Sequence, residues 1–279
     1  MNSFRHLAIT LDPLHVGAGG YRLGRVDNTI VRDAGSGLPK IPGSSLAGAV
    51  RCYAEWFMQD NGLEEQEKRS AVETLFGYAS DNKRKDSRIG LLRFYDGHIL
   101  AFPVKSMAGP VWVTCPSVLA QADILLAEKI GEEEVLITFN HSSSKLNLGW
   151  LYLPAKKIST LELGLDDQTK KLISRIAIAP DWLFSEIVNS NLEVRTSVSI
   201  DPETGAAKEG ALFTYEAIPA ATLLFFDIGI DRHRCPGDWP VEKVNSVLSG
   251  ALGYCENLGL GGMTTRGFGR VRFLSREEK

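Results

Sequence analysis

Two carboxylates lie in a long glycine-rich segment near the start of the chain, next to residues that could support metal binding or catalysis. Asp27 and Asp33 flank Arg32, and His15 lies upstream, just after the first predicted strand. A loop carboxylate beside arginines can hold a metal ion or orient a hydroxyl group, although most loop aspartates only cap turns or pair with cations. Between residues 17 and 42 the segment has six glycines, at positions 17, 19, 20, 24, 35 and 37. Connections longer than about 12–15 residues are usually functional or disordered, so this segment is the first candidate site.

A second glycine-rich segment, residues 259–270, has the composition of an anion-binding loop. It contains five glycines and two arginines between a predicted helix and the last predicted strand. Glycine allows close approach of the backbone to a ligand, and Thr264, Thr265 and Arg266 can contact phosphate oxygens. The segment is not a Walker loop, because Phe268 stands where that motif requires lysine. We expect an anionic ligand here, and a tight turn is the alternative.

A helix predicted over about 44–60 begins directly after Gly43. Ser44 and Ser45 offer N-cap oxygens, and apolar residues then recur on one helical face. The free N–H groups and the positive dipole end at its start favour a bound phosphate. Without further context, however, capping of the helix alone is the favoured interpretation.

Charge and hydropathy exclude a uniformly basic nucleic-acid-binding protein and a membrane-spanning protein. The 279 residues carry 31 basic and 34 acidic side chains, a net charge of −3, so nucleic-acid binding must rest on local patches. Two basic groups occur: Arg22, Arg25, Arg32, Lys40 and Arg51, then Lys83, Arg84, Lys85 and Arg88. The second group is more typical of a solvated loop than of a phosphate-binding site. No apolar stretch reaches the roughly 18 residues of a membrane span, and the start has no leader pattern. We therefore expect a soluble, cytoplasmic protein without membrane partners.

Common catalytic and metal-binding motifs are absent from the sequence. It has no GxSxG or HExxH motif, and its five histidines have no ligand spacing. Its four cysteines lie far apart without a CxxC pair, which argues against a zinc site and a disulfide framework. We expect reduced, mostly buried thiols at Cys52, Cys115, Cys235 and Cys255.

The elements that must position the two loops alternate between strand and helix. Strands are predicted over about 4–11, 89–95, 98–104, 135–139, 150–153, 222–230 and 270–274. Further helices are predicted over about 64–76, 117–129, 166–177, 182–188 and 241–256. Residues 191–200 and 210–215 predict a β-hairpin around a turn that contains Pro202 and Gly205. The outermost elements give the order βαββαβ, a ferredoxin-like α+β fold.

Several ordered motifs in this sequence resemble a known family. Residues 14–19 (LHVGAG), 26–33 (VDNTIVRD) and 38–51 (LPKIPGSSLAGAVR) resemble the N-terminal signature of the RAMP superfamily of CRISPR effector proteins. The later motifs resemble the repeating backbone subunit of type III-B (Cmr) complexes: 75–77 (LFG), 103–109 (PVKSMAG), 113–116 (VTCP) and 259–269. The segment from 103 to 116 distinguishes it from the similar type III-A (Csm) subunit.

The resemblance implies a single RAMP domain over 1–279. Its modified ferredoxin-like palm, similar to an RNA-recognition motif, would comprise about 1–60, 89–116 and 217–279. Insertions would occupy about 61–88 and 117–190, and a hairpin thumb about 191–216. The chain would polymerise along a CRISPR RNA with other Cmr subunits, and the thumb would displace a nucleotide of the bound RNA at regular intervals.

The resemblance also implies residue roles. Asp27 would be required for metal-dependent cleavage of the target RNA, with Mg²⁺ as the expected divalent ion. An unstacked nucleotide can reach the in-line geometry in which its 2′-hydroxyl attacks the next phosphate. A carboxylate with an ordinary pKa near 3.9 is a weak base, so metal binding or hydroxyl positioning is the expected role of Asp27, with a shifted pKa as the alternative. The expected RNA contacts are His15, Arg32, Ser44, Ser45, Arg51, Lys105, Ser106, Gly261, Gly262, Thr264, Thr265 and Arg266. The family usually has lysine at the position of Ala47, so a phosphate contact there is not carried over.

Three functions remain open from the sequence. The first is a ribonucleolytic backbone subunit of a type III-B complex, with the type III-A equivalent close to it. The second is a purely structural subunit that binds CRISPR RNA without cleaving its target. The third, outside nucleic acids, is a protein that binds a small phosphate ligand. Co-purification of RNA of discrete length separates the first two from the third, and cleavage of complementary RNA separates the first from the second.

Overall fold

The computed structural model describes residues 2–19, 26–80 and 85–278. Four of the predicted basic residues lie outside this part of the chain: Arg22, Arg25, Lys83 and Arg84. The described chain is a mixed α+β structure built on one large sheet, so the predicted α+β class is confirmed.

Fifteen strands and six α-helices make up the described chain. The strands are β1 Asn2–Thr10, β2 Lys40–Ile41, β3 Gly77–Tyr78, β4 Arg88–Ile89, β5 Leu92–Phe94, β6 Gly97–Ser106, β7 Gly109–Thr114, β8 Val135–Ile137, β9 Lys145–Leu148, β10 Leu151–Lys157, β11 Ile176–Ile178, β12 Glu193–Ile200, β13 Ala207–Ala217, β14 Leu223–Ile230 and β15 Val271–Glu278. The helices are α1 Gly43–Asp60, α2 Glu65–Phe76, α3 Pro116–Gln121, α4 Asp167–Leu172, α5 Asp181–Ser190 and α6 Val241–Leu258.

The main sheet has eleven strands in the described chain. Nine follow the order β15-β1-β14-β6-β7-β11-β8-β10-β9, while β2 pairs with β6 and β5 pairs with β14. The neighbours β15, β1, β14 and β6 are all antiparallel, whereas β11 pairs with β7 and β10 with β8 in parallel. The strands of residues 135–178 therefore extend the same sheet through β7.

Two long helices form a second layer of the core. Helix α1 buries Leu46, Val50, Ala54 and Met58 at every fourth position, which places them on one helical face. Helix α6 buries six residues in the same manner and packs against both α1 and β15. Each fully buried aliphatic side chain contributes about 1.5–3 kcal/mol by leaving water, so this layer fixes the sheet from which the loops project.

A two-stranded antiparallel hairpin lies where the sequence predicted one. Strands β12 and β13 pair from Glu193 opposite Ala217 to Ile200 opposite Ala207, with a register shift after Val198. The Gly205 N–H donates to the Asp201 carbonyl at 2.8 Å in the connecting turn. Five large apolar side chains of the hairpin are exposed: Val194, Val198, Ile200, Leu212 and Phe213.

Two predicted helices are wrong in length, and pairing to the sheet explains the second. The helix predicted to reach 129 ends at Gln121, and Asp123 then takes a left-handed conformation with φ of 56°. The helix predicted over 166–177 ends at Leu172, because residues 176–178 form β11 between β7 and β8. A short apolar run is ambiguous between helix and strand, and pairing to the sheet decides it here.

Other differences are smaller. The strand predicted over 89–95 is divided between β4 and β5, and strands β7 and β9 were not predicted. Of the four thiols, Cys115 and Cys255 are buried, and burial raises the pKa of both to about 12. Cys52 is exposed, so that part of the prediction of mostly buried thiols is wrong. Among the described helices, none has the length and hydropathy that crossing a membrane requires.

Candidate nucleic-acid interface and cleavage site

Asp27 lies beside the C-terminal half of hairpin strand β13. Its Oδ2 accepts hydrogen bonds from the backbone N–H and the hydroxyl of Thr214, both at 2.8 Å. The Asp27 N–H donates in return to the Thr214 hydroxyl oxygen at 2.9 Å. One threonine therefore holds both the carboxylate and the backbone of an exposed aspartate.

These hydrogen bonds set the charge of the carboxylate. The Thr214 backbone N–H, followed by its hydroxyl, lowers the pKa of Asp27 below its usual value of 3.8. Hydrogen bonds to the charged form favour that form. Asp27 is therefore ionised at neutral pH and is a weaker base than an ordinary aspartate, which argues against the alternative of a pKa shifted upward for general-base catalysis.

Backbone pairing joins the Asp27 segment to the hairpin on both sides of this contact. The Asn28 N–H donates to the Thr214 carbonyl, and the Glu216 N–H donates to the Asn28 carbonyl, both at 3.0 Å. His15 is buried, and its Nδ1 lies 2.6 Å from the Glu216 carbonyl oxygen. His15 and Asp27 are thus held against adjacent parts of one strand.

Arg32 anchors the same segment through its side chain. Its Nη2 donates to the buried carboxylate of Glu216 at 2.6 Å, and its Nε donates to Asn189 at 2.9 Å. The second Glu216 oxygen accepts from the Ile30 N–H at 3.2 Å. The predicted phosphate ligand Arg32 therefore has an intramolecular role, which is to fix residues 30–32 against the hairpin.

The second glycine-rich segment meets His15 on its other side. The Gly262 N–H donates to the His15 carbonyl at 2.8 Å. Gly261 has a φ of +80°, and a Cβ there would lie 2.5 Å from the same carbonyl oxygen, so only glycine fits. Beyond it, Thr265 and Arg266 are exposed and Thr264 is half-buried, within a single 3₁₀ turn.

The start of α1 is capped differently from the sequence prediction. Pro42 is the N-cap, and neither Ser44 nor Ser45 makes a side-chain cap. The Gly43 N–H instead donates to Asp96, from the loop between β5 and β6, at 2.8 Å. The prediction of N-cap serines is therefore wrong, and both serines are exposed.

The remaining predicted contacts lie on other elements. Arg51, in α1, donates to the Gly77 carbonyl at 3.2 Å and lies 3.6 Å from Glu55. Lys105 is exposed at the end of β6. Ser106 is buried and donates to the Gly109 carbonyl at 2.7 Å, which closes the turn into β7.

The structure therefore brings together part of the predicted site. Asp27, His15, Gly261 and Gly262 form one cluster, which we call the junction, together with Thr214. Ser44, Ser45, Arg51, Lys105 and Ser106 belong to other elements. Sequence analysis missed Thr214 and Glu216. The strand predicted over 210–215 contained Thr214 but ended before Glu216, and nothing in the sequence indicated the pairing with residues 27–32.

The junction offers limited coordination to a metal ion. Within residues 2–19, 26–80 and 85–278, no three side chains of His, Cys, Asp or Glu are grouped as ligands. Asp27 supplies one carboxylate, so these residues do not form a protein cage for a cation. One or two carboxylates together with phosphate oxygens and waters are, however, the usual ligands of Mg²⁺.

The fold is shared with subunits of solved type III-B structures. A chain in the cryo-EM structure of type III-B Cmr-beta in the apo state is 18% identical and has a TM-score of 0.70, covering 97% of this chain and 96% of that one. The crystal structure of oligomeric Cmr4 from Pyrococcus furiosus is 22% identical, with a TM-score of 0.67 and coverage of 100% and 99%. A chain of Cmr-beta bound to cognate target RNA is 18% identical, with a TM-score of 0.69 and coverage of 98% and 96%. At these identities the likeness defines the fold class.

Sequence comparison defines the family. The RAMP superfamily pattern matches residues 8–272. A curated relative, the CRISPR system Cmr endoribonuclease Cmr4 of Pyrococcus furiosus, is 30% identical over 293 residues, covering 96% of this chain and 94% of the relative. The chain belongs to the RAMP superfamily, and that prediction is confirmed.

Proposed function

We propose that this chain is a backbone subunit of a type III-B CRISPR ribonucleoprotein that binds CRISPR RNA along its length and cleaves complementary target RNA at regular intervals. The observation that carries the proposal is its 30% identity, over 96% of the chain, to a relative named as the Cmr endoribonuclease. That name also favours the type III-B over the type III-A assignment.

The partners follow from the same relatives. One solved structure with this fold is an oligomeric Cmr4, and another contains cognate target RNA. We therefore assign to this chain a CRISPR RNA, a target RNA, further copies of itself and other Cmr subunits as partners, in the cytoplasm.

The strand order supports a ferredoxin-like palm within a single domain. Strand β1, helix α1, strands β6 and β14, helix α6 and strand β15 follow one another as βαββαβ, and the four strands are direct neighbours in the sheet. Residues 61–88 and 117–190 are assigned as insertions. The hairpin β12–β13 is assigned as the thumb, since its two strands form a separate two-stranded sheet, to which the Asn28 segment adds a single β-bridge at Tyr215.

The junction supplies the proposed cleavage chemistry. An RNA scaffold contacts phosphates without reading bases, and pairing with the guide supplies specificity. Next to the thumb, a displaced target nucleotide is unstacked and can present its 2′-hydroxyl in line with the adjacent phosphate. Its attack would form the 2′,3′-cyclic phosphate and break the P–O5′ bond, the 2′-hydroxyl losing a proton to water and the leaving 5′ oxygen gaining one. Asp27, ionised and fixed by Thr214, orients that hydroxyl. A Mg²⁺ ion shared between Asp27 and RNA phosphates would stabilise the developing negative charge.

The predicted RNA contacts fall into two groups, those with exposed side chains and those whose side chains or backbone support the loops. Ser44, Ser45, Lys105, Thr265 and Arg266 are exposed and suit phosphate contacts. The buried side chain of His15 supports the junction, and Gly261 and Gly262 offer close backbone approach. Arg32 and Ser106 contribute by holding loops in place, while Arg51 and Thr264 are partly exposed beside their neighbours.

Reconstitution with a guide of known sequence tests the proposal. The chain is co-expressed with its partner subunits and one CRISPR RNA, and the purified particle is mixed with end-labelled complementary RNA. We expect a guide of discrete length and cleavage products at a constant interval, whereas a non-complementary RNA stays intact. A target with deoxyribose at each cut position should also stay intact, because no 2′-hydroxyl remains to attack. A guide-loaded particle without cleavage would support the structural subunit instead.

A further inference from the structure

The tip of the β9–β10 hairpin carries a tryptophan that stands out into solvent. Trp150 is 93% exposed, the highest value among the large apolar side chains of the described residues. Tyr152 follows it at 54%, and Met107, from the turn between β6 and β7, is 61% exposed. Exposed aromatic side chains in a group mark interaction sites more often than single ones do.

The two hairpins that carry these side chains are fixed to each other. The Gly149 N–H donates to the Lys105 carbonyl at 3.0 Å. The Met107 N–H donates to the Asn147 side chain at 2.6 Å. We call residues 105–109 and 145–152 the twin-hairpin tip. These hydrogen bonds hold the backbone of the tip in place before any ligand binds, which lowers the entropic cost of binding.

The stretches of sequence that form the tip carry basic but no acidic side chains. The sequence has no Asp or Glu from 97 to 122 or from 135 to 161, although the chain has 34 acidic residues. Lys105, Lys145 and Lys156 are exposed in these stretches, and Arg175 lies beside Gly109. The Lys145 Nζ lies 5.6 Å from the centre of the Tyr152 ring. Aromatic rings among cations without acids are complementary to a polyanion with flat, apolar bases.

We infer that the twin-hairpin tip is a binding site for unpaired RNA, in which a base stacks on Trp150 and the surrounding cations contact the flanking phosphates. The inference rests on the proposed function, since it assigns a further contact to the same ligand class. Gly149 also lies against Asn191, two residues before β12, so the site adjoins the base of the proposed thumb.

Trp150→Ala and Trp150→Phe in the full-length chain test the stacking. The measurement is the Kd for a fluorescently labelled single-stranded RNA of about 20 nucleotides, by anisotropy at constant salt. Stacking of one base predicts a Kd about 5- to 150-fold higher for the alanine variant, with most of the affinity kept by phenylalanine. Trp182→Ala is the matched control, since Trp182 is a 61% exposed tryptophan on α5, and it should bind as the wild type does.

Two further arms identify the chemistry. A duplex RNA of the same length hides its base faces, so the wild type and Trp150→Ala should bind it equally. Lys105→Gln with Lys145→Gln should lower the salt dependence of single-strand binding, whereas Trp150→Ala should leave that slope unchanged. In the loaded particle, 4-thiouridine placed in unpaired positions of the guide or of the target should crosslink to the tip. The strand that reacts is the one that supplies the stacked base.

The opposite results overturn the inference. Equal single-strand affinity of the wild type and Trp150→Ala contradicts it while leaving the proposed function intact. An equal loss on duplex RNA excludes base stacking, and crosslinking of neither strand excludes the site. If Trp150→Ala changes the oligomeric state by sedimentation without RNA and leaves the affinity unchanged, the tip is an interface between copies. A wild type that binds no RNA overturns both this inference and the proposed function.

Discussion

At the residue scale, the arrangement of the junction depends on Thr214. Its hydroxyl accepts from the Asp27 backbone and donates to the Asp27 carboxylate, so the loop cannot rotate the carboxylate independently of the hairpin. The position of the hairpin and the chemistry of the loop are therefore coupled through one side chain.

Thr214→Val removes the hydroxyl with little change of shape, and we expect the pKa of Asp27 to rise toward its usual 3.8, because one of two stabilising donors is removed. Cleavage should fall by about 10- to 100-fold from misplacement of the carboxylate. Thr214→Ser should restore both properties. NMR titration of the Asp27 carboxyl carbon and single-turnover cleavage measure them, and a Val variant with an unchanged pKa and rate would refute the positioning role.

At the element scale, the sequence predicted most long elements because their apolar patterns are strong. Strand 222–230 and helix 241–256 are found as β14 and α6, within two residues at each end. Short strands such as β11 depend on neighbours distant in the chain, which local pattern does not show. The same limit applies to the site. The sequence indicated the glycine-rich segments and Asp27 by residue type, whereas the hydrogen bonds of Thr214 depend on the fold and could not be predicted.

Asp96 caps α1 from outside the helix, and its removal should cost stability. The loss of a carboxylate cap predicts a decrease of about 0.5–2 kcal/mol in the free energy of unfolding. The same change removes the partly exposed ion pair between Asp96 and Lys40, whose contribution is included in this decrease. Urea unfolding of Asp96→Ala measures the decrease, with the exposed loop variant Asp238→Ala as the control that should unfold as the wild type does.

This contribution should depend on pH. The Lys40 ammonium and then the Gly43 N–H lower the pKa of Asp96 below its usual 3.8. A lowered pKa gives stability that is complete above the unfolded value and is lost as pH falls through the folded value. The difference between the wild type and Asp96→Ala should stay constant from pH 7 to about 5 and shrink below about 4. A difference that grows on acidification would contradict the cap.

Trimming the hairpin separates its tip from the junction. Val198 pairs with Leu212, so replacing residues 199–211 with Asn-Gly leaves a two-residue turn and retains Thr214. This deletion contains the tip segment 202–208, which is exposed where described. We expect the fold to persist in circular dichroism and the regular spacing of target cuts to be disturbed. An unchanged cutting pattern would show that the hairpin tip has no role in spacing the cuts.

At the scale of the whole molecule, a net charge of −3 requires RNA binding to be local. Arg266 is exposed beside the junction, and Arg51 is partly exposed on α1. Basic side chains thus lie on particular faces, while acidic side chains elsewhere make the net charge negative. RNA binding through these faces should be strongly salt-dependent.

Arg51→Ala with Arg266→Ala should weaken binding of unrelated RNA sequences equally. If each arginine neutralises one phosphate, the salt slope should fall by about 1 for each arginine replaced. Lys170→Ala with Lys171→Ala, two basic residues in the last turn of α4, is the matched control and should leave the slope unchanged. Affinity and slope that are the same in both double variants would exclude the phosphate contacts.

We propose that Asp27 is required for RNA cleavage within the assembled particle, and Asp33 provides a close control. Both carboxylates accept from a backbone N–H and a hydroxyl, and both have a lowered pKa. The Asp33 carboxylate, however, accepts its hydrogen bonds from Gly35 and Ser36 in its own turn rather than from the hairpin.

The most direct measurement is therefore the single-turnover rate of target cleavage by particles carrying Asp27→Ala or Asp33→Ala, with guide content and target affinity measured alongside. We expect Asp27→Ala to lose about 100-fold or more of the rate. It should keep the guide and bind the target as the wild type does, because the carboxylate is exposed and outside the core, and Asp33→Ala should still cleave. Full cleavage by Asp27→Ala, or loss of cleavage in Asp33→Ala alone, would contradict the proposed role of Asp27.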